Sequence, residues 1–174
     1  VSNRKNFSEI IASVPLKLEA KYGARIKTIC GDDLELIKEN GLAFSDARGT
    51  LGFLSRLEQY KDDLVRSKTY LSGAVELFKL PANTSVADAI VHLKTELKTT
   101  FHRVQESIER RNSNLVSILS ASKENEIAVV FGGIHANGIV KELDAKGIGC
   151  SIVEPAGYSN EEANTIELLS KMAH

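Results

Sequence analysis

Apolar residues recur at helical spacing along most of the chain, and this periodicity predicts a mainly helical middle region. The longest pattern begins at Ser85 and Asp88, which have the arrangement of a capping box, and it predicts a long amphipathic helix. Two ends for this helix remain open, one near Asn112 and one at about Ala121. Its apolar face comprises Val86, Ile90, Leu93, Leu97, Phe101, Val104 and Ile108.

Similar spacing predicts further helices before this one. Residues 50–80 read as one helix, or as two helices with a break near Ser67. Residues 7–22 form another candidate helix. A short helix is predicted from Asp32 and Asp33 to about Asn40, because acidic side chains suit a helix N-terminus. Gly41 is its predicted C-cap.

Three short segments have the pattern of strands instead. Residues 25–30 alternate polar and apolar, and residues 127–131 are continuously apolar, as in a strand buried on both faces. Residues 150–153 form the third segment. A helix from about Ala136 to Lys146 separates the last two, so they are expected to form a parallel βαβ unit with a right-handed crossover.

These elements predict an α/β fold: a helix-rich domain with a small parallel sheet of about three strands and a C-terminal βαβ unit. Residues 1–174 are interpreted as one domain, with 1–123 mainly helical and 124–174 forming the βαβ unit plus a final helix that starts near Ser159. Three strands are few for such a sheet, and the chain begins at Val1. We therefore expect a missing N-terminal part of a larger α/β domain, or another copy in a homo-oligomer, to complete the sheet.

The composition excludes two classes of partner. With 22 basic and 23 acidic residues the net charge is −1, so no basic field supports nucleic-acid binding. The longest apolar runs, such as residues 127–131, are far too short to span a bilayer. A small molecule or a peptide remains as the expected ligand.

The strand, turn and helix around His135 form the most suggestive site for chemistry. Gly132 and Gly133 follow the strand at residues 127–131, and ligands of open α/β sheets bind at that edge. The two glycines would let backbone N–H groups approach a ligand, and the next helix N-terminus favours negative charge. His135 would be neutral there, able to bind a metal or act as a base. The alternative is a plain tight turn with a capping histidine.

Five charged residues could complete this site. Asp32 and Asp33 follow the first strand and would share the sheet edge with His135 if the strands lie in one parallel sheet, and metal ligation or acid–base chemistry would then be possible. Arg110 and Arg111 end the long helix, where one could reach back as an anion clamp. Glu154 closes the third strand. Helix capping for the aspartates and solvation for the arginines remain the alternatives.

The C-terminal half resembles the closing motif of the TraB/GumN, ChaN, erythromycin-esterase and Tiki superfamily. The likeness covers roughly residues 109–155: an Arg110–Arg111 helix, then Ile127 to Ile139 with its Gly-Gly-Ile-His, then Gly147. In that superfamily an arginine helix precedes a strand ending in Gly-x-x-His. The superfamily includes metal-dependent peptidases, an esterase and a haem-binding member.

The resemblance implies specific roles for residues of this chain. His135 corresponds to the motif histidine, Gly132 to its glycine, and Arg110 or Arg111 to its arginine. The cofactor it implies is a divalent metal at His135 in preference to haem. The superfamily's first motif, a Gly-Glu with a nearby His on an early strand, does not occur in this chain. An upstream segment would then carry that motif, or the chain is a degenerate, non-catalytic member.

Two functions follow from these patterns. The first is a metal-assisted hydrolase-like or ligand-binding domain, with His135, Asp32 or Asp33 and an arginine lining its pocket. The second is a non-catalytic helical module whose long face between Val86 and Ile108 docks a protein partner. A pocket with His135 pointing into it and a carboxylate within ligand reach favours the first function. A large exposed apolar patch on the long helix, with His135 buried or merely capping, favours the second.

Overall fold

The computed structural model describes residues 27–30, 34–154, 157 and 161–173, and most of these residues are helical. The chain divides into two compact units. Residues 35–109 and 159–174 form the first, called here the helical unit, and residues 1–34 and 110–158 form the second, called the strand unit. The elements in chain order are β1 (Lys27–Cys30), α1 (Leu34–Tyr60), α2 (Leu64–Leu77), α3 (Val86–Ala121), β2 (Ile127–Val130), a 3-10 turn (Gly133–His135), α4 (Ala136–Ala145) and α5 (Glu161–Ala173).

The predicted fold class, an α/β domain with a parallel sheet of about three strands, is wrong. Only β1 and β2 pair within the described residues, in parallel and over four residues, with Lys27 opposite Ile127 and Cys30 opposite Val130. The predicted third strand at residues 150–153 is exposed and has no regular structure, so the described residues 127–153 do not form the predicted βαβ unit. β-branched residues favour a strand only where a neighbouring strand supplies the ladder and the packing. The described chain is helix-rich with one short strand pair.

The helical unit buries the apolar face that the sequence assigns to α3. Phe101 is 4% exposed and Leu97 is fully buried, and the buried side chain of Asn40 donates through Nδ2 to Ser107 Oγ at 2.7 Å, which ties α1 to α3. The face predicted to dock a partner is thus largely the core of this chain. The other fully buried apolar residues of the unit are Ala47, Leu54, Leu57, Ala74, Ala89, Leu93, Val104 and Leu169.

Helix boundaries differ from the sequence pattern in the first half. Gly41 lies inside α1 instead of capping a helix, and the buried face of this helix includes Asn40 before it and Ala43 and Phe44 after it. The break in residues 50–80 falls at 61–63, and Ser67 lies within α2. Asp63 sets the new start, since its carboxylate accepts from the N–H groups of Val65 and Arg66 at 3.1 and 2.9 Å.

Other helix ends follow their sequence signals. The capping pair before α3 is present, with the N–H of Asp88 donating to Ser85 Oγ at 3.1 Å. The helix ends at Ala121, the later of the two ends that the sequence left open. Gly147 ends α4 with a φ of 71°, and its N–H donates to the Asp144 carbonyl at 3.0 Å. That left-handed conformation is the reason for a glycine at this position.

Several predicted features lie outside the described residues. These are the helix at residues 7–22, the first two residues of the strand at 25–30, the aspartates Asp32 and Asp33, and the cap at Ser159. The final helix is confirmed as α5. None of the described helices combines the length and the apolar character that crossing a membrane requires.

Candidate functional site

The chain passes from β2 into α4 through a single tight turn in the strand unit. Gly132 is extended (φ −68°, ψ 139°), and the N–H of His135 donates to its carbonyl at 3.1 Å. The N–H of Ala136 then donates to the carbonyl of Gly133, and α4 begins. Neither glycine has a positive φ. The backbone conformation of this turn is therefore open to other residues, and any need for glycine here must come from space.

His135 is the buried centre of this turn. Its side chain is 1% exposed, and Nδ1 lies 2.7 Å from Oδ1 of Asn112, which is itself 4% exposed on α3. An amide oxygen can only accept a hydrogen bond, so this contact is a hydrogen bond when Nδ1 carries a proton. The contact links the end of β2 to the last third of α3.

An aromatic ring and a guanidinium group continue the site along β2. Phe131 contacts His135 edge to face, with ring centroids 4.8 Å apart at 75°. Arg111 lies against the same ring, with its Cζ 5.3 Å from the centroid of Phe131. Such a stack holds a guanidinium in place through cation–π attraction. Arg111 is thus the arginine that reaches back over the end of β2, while Arg110 beside it is exposed.

Gly138 makes room for Asn112. A Cβ built on Gly138 would overlap Nδ2 of Asn112 and lie 3.3 Å from its Cγ. The absence of a side chain on this first turn of α4 therefore allows the amide to reach His135. A second polar contact joins the same two helices nearby, because Ser113 Oγ donates to the carboxylate of Glu142 at 3.1 Å.

The remaining predicted residues are not brought to this site by the described structure. Glu154 is exposed in a segment without regular structure, and Asp32 and Asp33 lie outside the described residues. Across the residues that the structure describes, no group of three His, Cys, Asp or Glu side chains could hold a metal ion. The described neighbours of His135 thus do not fit a metal site by themselves.

Sequence reasoning missed Asn112 as a site residue. It considered this asparagine only as a place where α3 could end, since asparagine disfavours a helix interior. One usable signal was present: Gly138 interrupts a short helix, and a glycine inside a helix often marks a close packing contact. The partner of that contact is Asn112 on α3, and the sequence alone does not identify it.

Comparison with known proteins identifies no relative: no protein-family model, curated protein or solved structure matches the chain. The resemblance to the TraB, ChaN and Tiki superfamily therefore stays a prediction that rests on the arginine helix and the Gly-Gly-Ile-His turn.

Proposed function

We propose that this chain is a ligand-binding domain that holds an anionic group of a small molecule or peptide at the turn after β2. The observation that carries the proposal is the cluster of Arg111, Phe131 and His135. The guanidinium Cζ lies 5.3 Å from the centroid of the Phe131 ring, and that ring meets the imidazole edge to face at 4.8 Å. It brings a cation and an imidazole to the point where a strand ends and a helix begins. The resemblance to the superfamily described above is consistent with a ligand site at this turn.

Charge and backbone geometry both favour an anion here. The first N–H groups of a helical segment have no acceptor within the helix, and they carry the positive end of its dipole. Gly133 and Ile134 provide these N–H groups, ahead of α4. Arg111 adds a planar guanidinium with several donors, which suits a carboxylate or a phosphate. A ligand carboxylate or phosphate would therefore meet complementary charge and directed hydrogen bonds.

Space at the turn is kept by Gly132. A Cβ on this residue would lie 3.5 Å from Cδ2 of His135, which is ordinary van der Waals contact. Gly132→Ala is therefore expected to fold normally. It would add a methyl group to the exposed residue that precedes Gly133, so a ligand that contacts this side of the turn should bind less well.

An NMR titration of the full chain tests the proposal. Inorganic phosphate and acetate serve as probes, each added at matched ionic strength against chloride, with the amide signals of Gly133, Ile134 and His135 followed. We expect saturable shifts with at least one probe. Arg111→Gln should weaken them, because it removes the charge and keeps much of the side-chain volume.

Arg110→Gln is the matched control, since it makes the same change at the adjacent, exposed position. Saturable shifts that survive Arg110→Gln and are lost in Arg111→Gln would support the anion site. Shifts of equal size in both variants would indicate nonspecific charge screening and contradict the proposal. The absence of saturable shifts with either probe would also contradict it.

A further inference from the structure

The side-chain amide of Asn112 contacts the ring of His135 on one side and lies over Gly138 on the other. Asn112 is buried on α3, and its Oδ1 lies 2.7 Å from Nδ1 of the histidine. Its Nδ2 occupies the space over Gly138, where no side chain competes. The two ends of the amide therefore lie on different sides: Oδ1 lies against the imidazole ring, and Nδ2 lies over Gly138 in α4.

This arrangement selects one tautomer of the imidazole. Which ring nitrogen of a neutral histidine is protonated is set by the hydrogen bond that the other nitrogen, or its own N–H, makes. Oδ1 of Asn112 is an acceptor, so it requires the proton on Nδ1. Without this partner the ring would be able to exchange between both neutral forms.

We propose that Asn112 is the positioning residue of this site, holding the ring of His135 in place and in the Nδ1–H form. The part that the oriented ring plays in ligand binding rests on the proposed function. The tautomer itself does not, because it follows from the contact between two side chains of the unliganded chain. Asn112 would thus do for His135 what a carboxylate or a carbonyl does for many functional histidines.

Nitrogen-15 NMR of the imidazole rings tests this inference directly. The full chain is labelled and studied at a pH where His135 is neutral, and two-bond couplings identify the protonated nitrogen. We expect the wild-type ring to be in the Nδ1–H form. In Asn112→Ala we expect a shift of population toward the Nε2–H form. Asn112→Asp should keep Nδ1 protonated, because a carboxylate oxygen takes the place of Oδ1 as the acceptor.

Ser113→Ala provides the matched control. It removes the neighbouring contact between α3 and α4, made by Ser113 Oγ with Glu142, and leaves the histidine contact in place. It should not change the tautomer. If Asn112→Ala fails to fold, the wild-type spectrum and the Asn112→Asp variant still decide the question. An Nε2–H form in the wild type, or an unchanged tautomer in folded Asn112→Ala, would overturn the inference.

The two proposals can fail separately. Loss of the tautomer preference with intact phosphate or acetate binding would remove Asn112 as the positioning residue and leave the anion site standing. A clear Nδ1–H form without any ion binding would keep Asn112 in its role and refute the anion site.

Discussion

Replacing Gly138 by alanine tests the packing on which the candidate site depends. Inside a helix this change ordinarily stabilises a protein by about 1 kcal/mol, because alanine is the better helix former. At Gly138 the new Cβ overlaps Nδ2 of Asn112. Forcing extra volume into a packed interface costs about 1–3 kcal/mol. If the amide moves away, the buried ring of His135 loses its partner at Nδ1, at a cost of about 1–3 kcal/mol.

The destabilising contributions exceed the gain in helix propensity, so Gly138→Ala should lower the free energy of unfolding by about 1–4 kcal/mol. Urea denaturation followed by circular dichroism, together with amide signals of residues 110–154, measures this change. Gly52→Ala is the matched control. Gly52 is also inside a helix, but a Cβ there meets nothing within 4 Å, so this variant should be stabilised by about 0.5–1 kcal/mol.

A double-mutant cycle tests the cause of the loss. If the overlap with Asn112 is responsible, Gly138→Ala should be neutral or stabilising when it is introduced into Asn112→Ala. The interaction free energy between the two positions should then be at least about 1 kcal/mol, which is typical of residues in direct contact. An equal loss in both backgrounds would refute the reasoning, as would a wild-type Gly138→Ala that behaves like Gly52→Ala.

Three further stability changes follow from the helical unit, each measured by urea denaturation. Asp63→Ala should cost about 0.5–2 kcal/mol, because the N–H groups of the first turn of α2 lose their acceptor, whereas Asp62→Ala next to it should have little effect. An equal loss in the two variants would argue against capping. Ser107→Ala should cost about 1–3 kcal/mol, since the buried Nδ2 of Asn40 loses the acceptor at 2.7 Å; an unchanged midpoint would contradict that bond. Lys79 has a φ of 54°, so Lys79→Gly should stabilise the chain by a few tenths to about 1 kcal/mol while Lys79→Ala should not; the same gain from both would exclude backbone strain as the cause.

The helices could be predicted because their signals are local. On α3, apolar residues recur every three or four positions from Val86 to Ile108, and the structure buries most of this face. Gly147 at the end of α4 adopts a left-handed φ of 71°, which favours glycine and marks the end of the helix. Such signals need no knowledge of the rest of the fold. The misplaced break near Ser67 shows the limit, because apolar spacing alone cannot locate a boundary that a cap at Asp63 decides.

The sheet could not be predicted in the same way. The segments at residues 127–131 and 150–153 have the same β-branched, apolar character, yet only the first pairs with β1. Even β2 is not buried on both faces, since Val129 is 37% exposed. Strand formation depends on a partner elsewhere in the chain, so composition predicts the tendency and not the pairing. The error in fold class came from treating each strand-like segment as a member of one sheet.

The candidate site depends both on local sequence signals and on a contact between distant parts of the chain. His135 and the glycines before it form a local motif at the end of β2, and this part was visible in the sequence. The residue that orients the imidazole comes from α3, and it can do so only because Gly138 has no side chain. Asn112 and Gly138 therefore depend on each other. An alanine at Gly138 would displace the amide from its place beside the ring. With an alanine at Asn112, no side chain would require the space over Gly138. A strand-turn-histidine motif alone does not specify the chemistry of its imidazole, because that chemistry depends on the side chain that meets Nδ1.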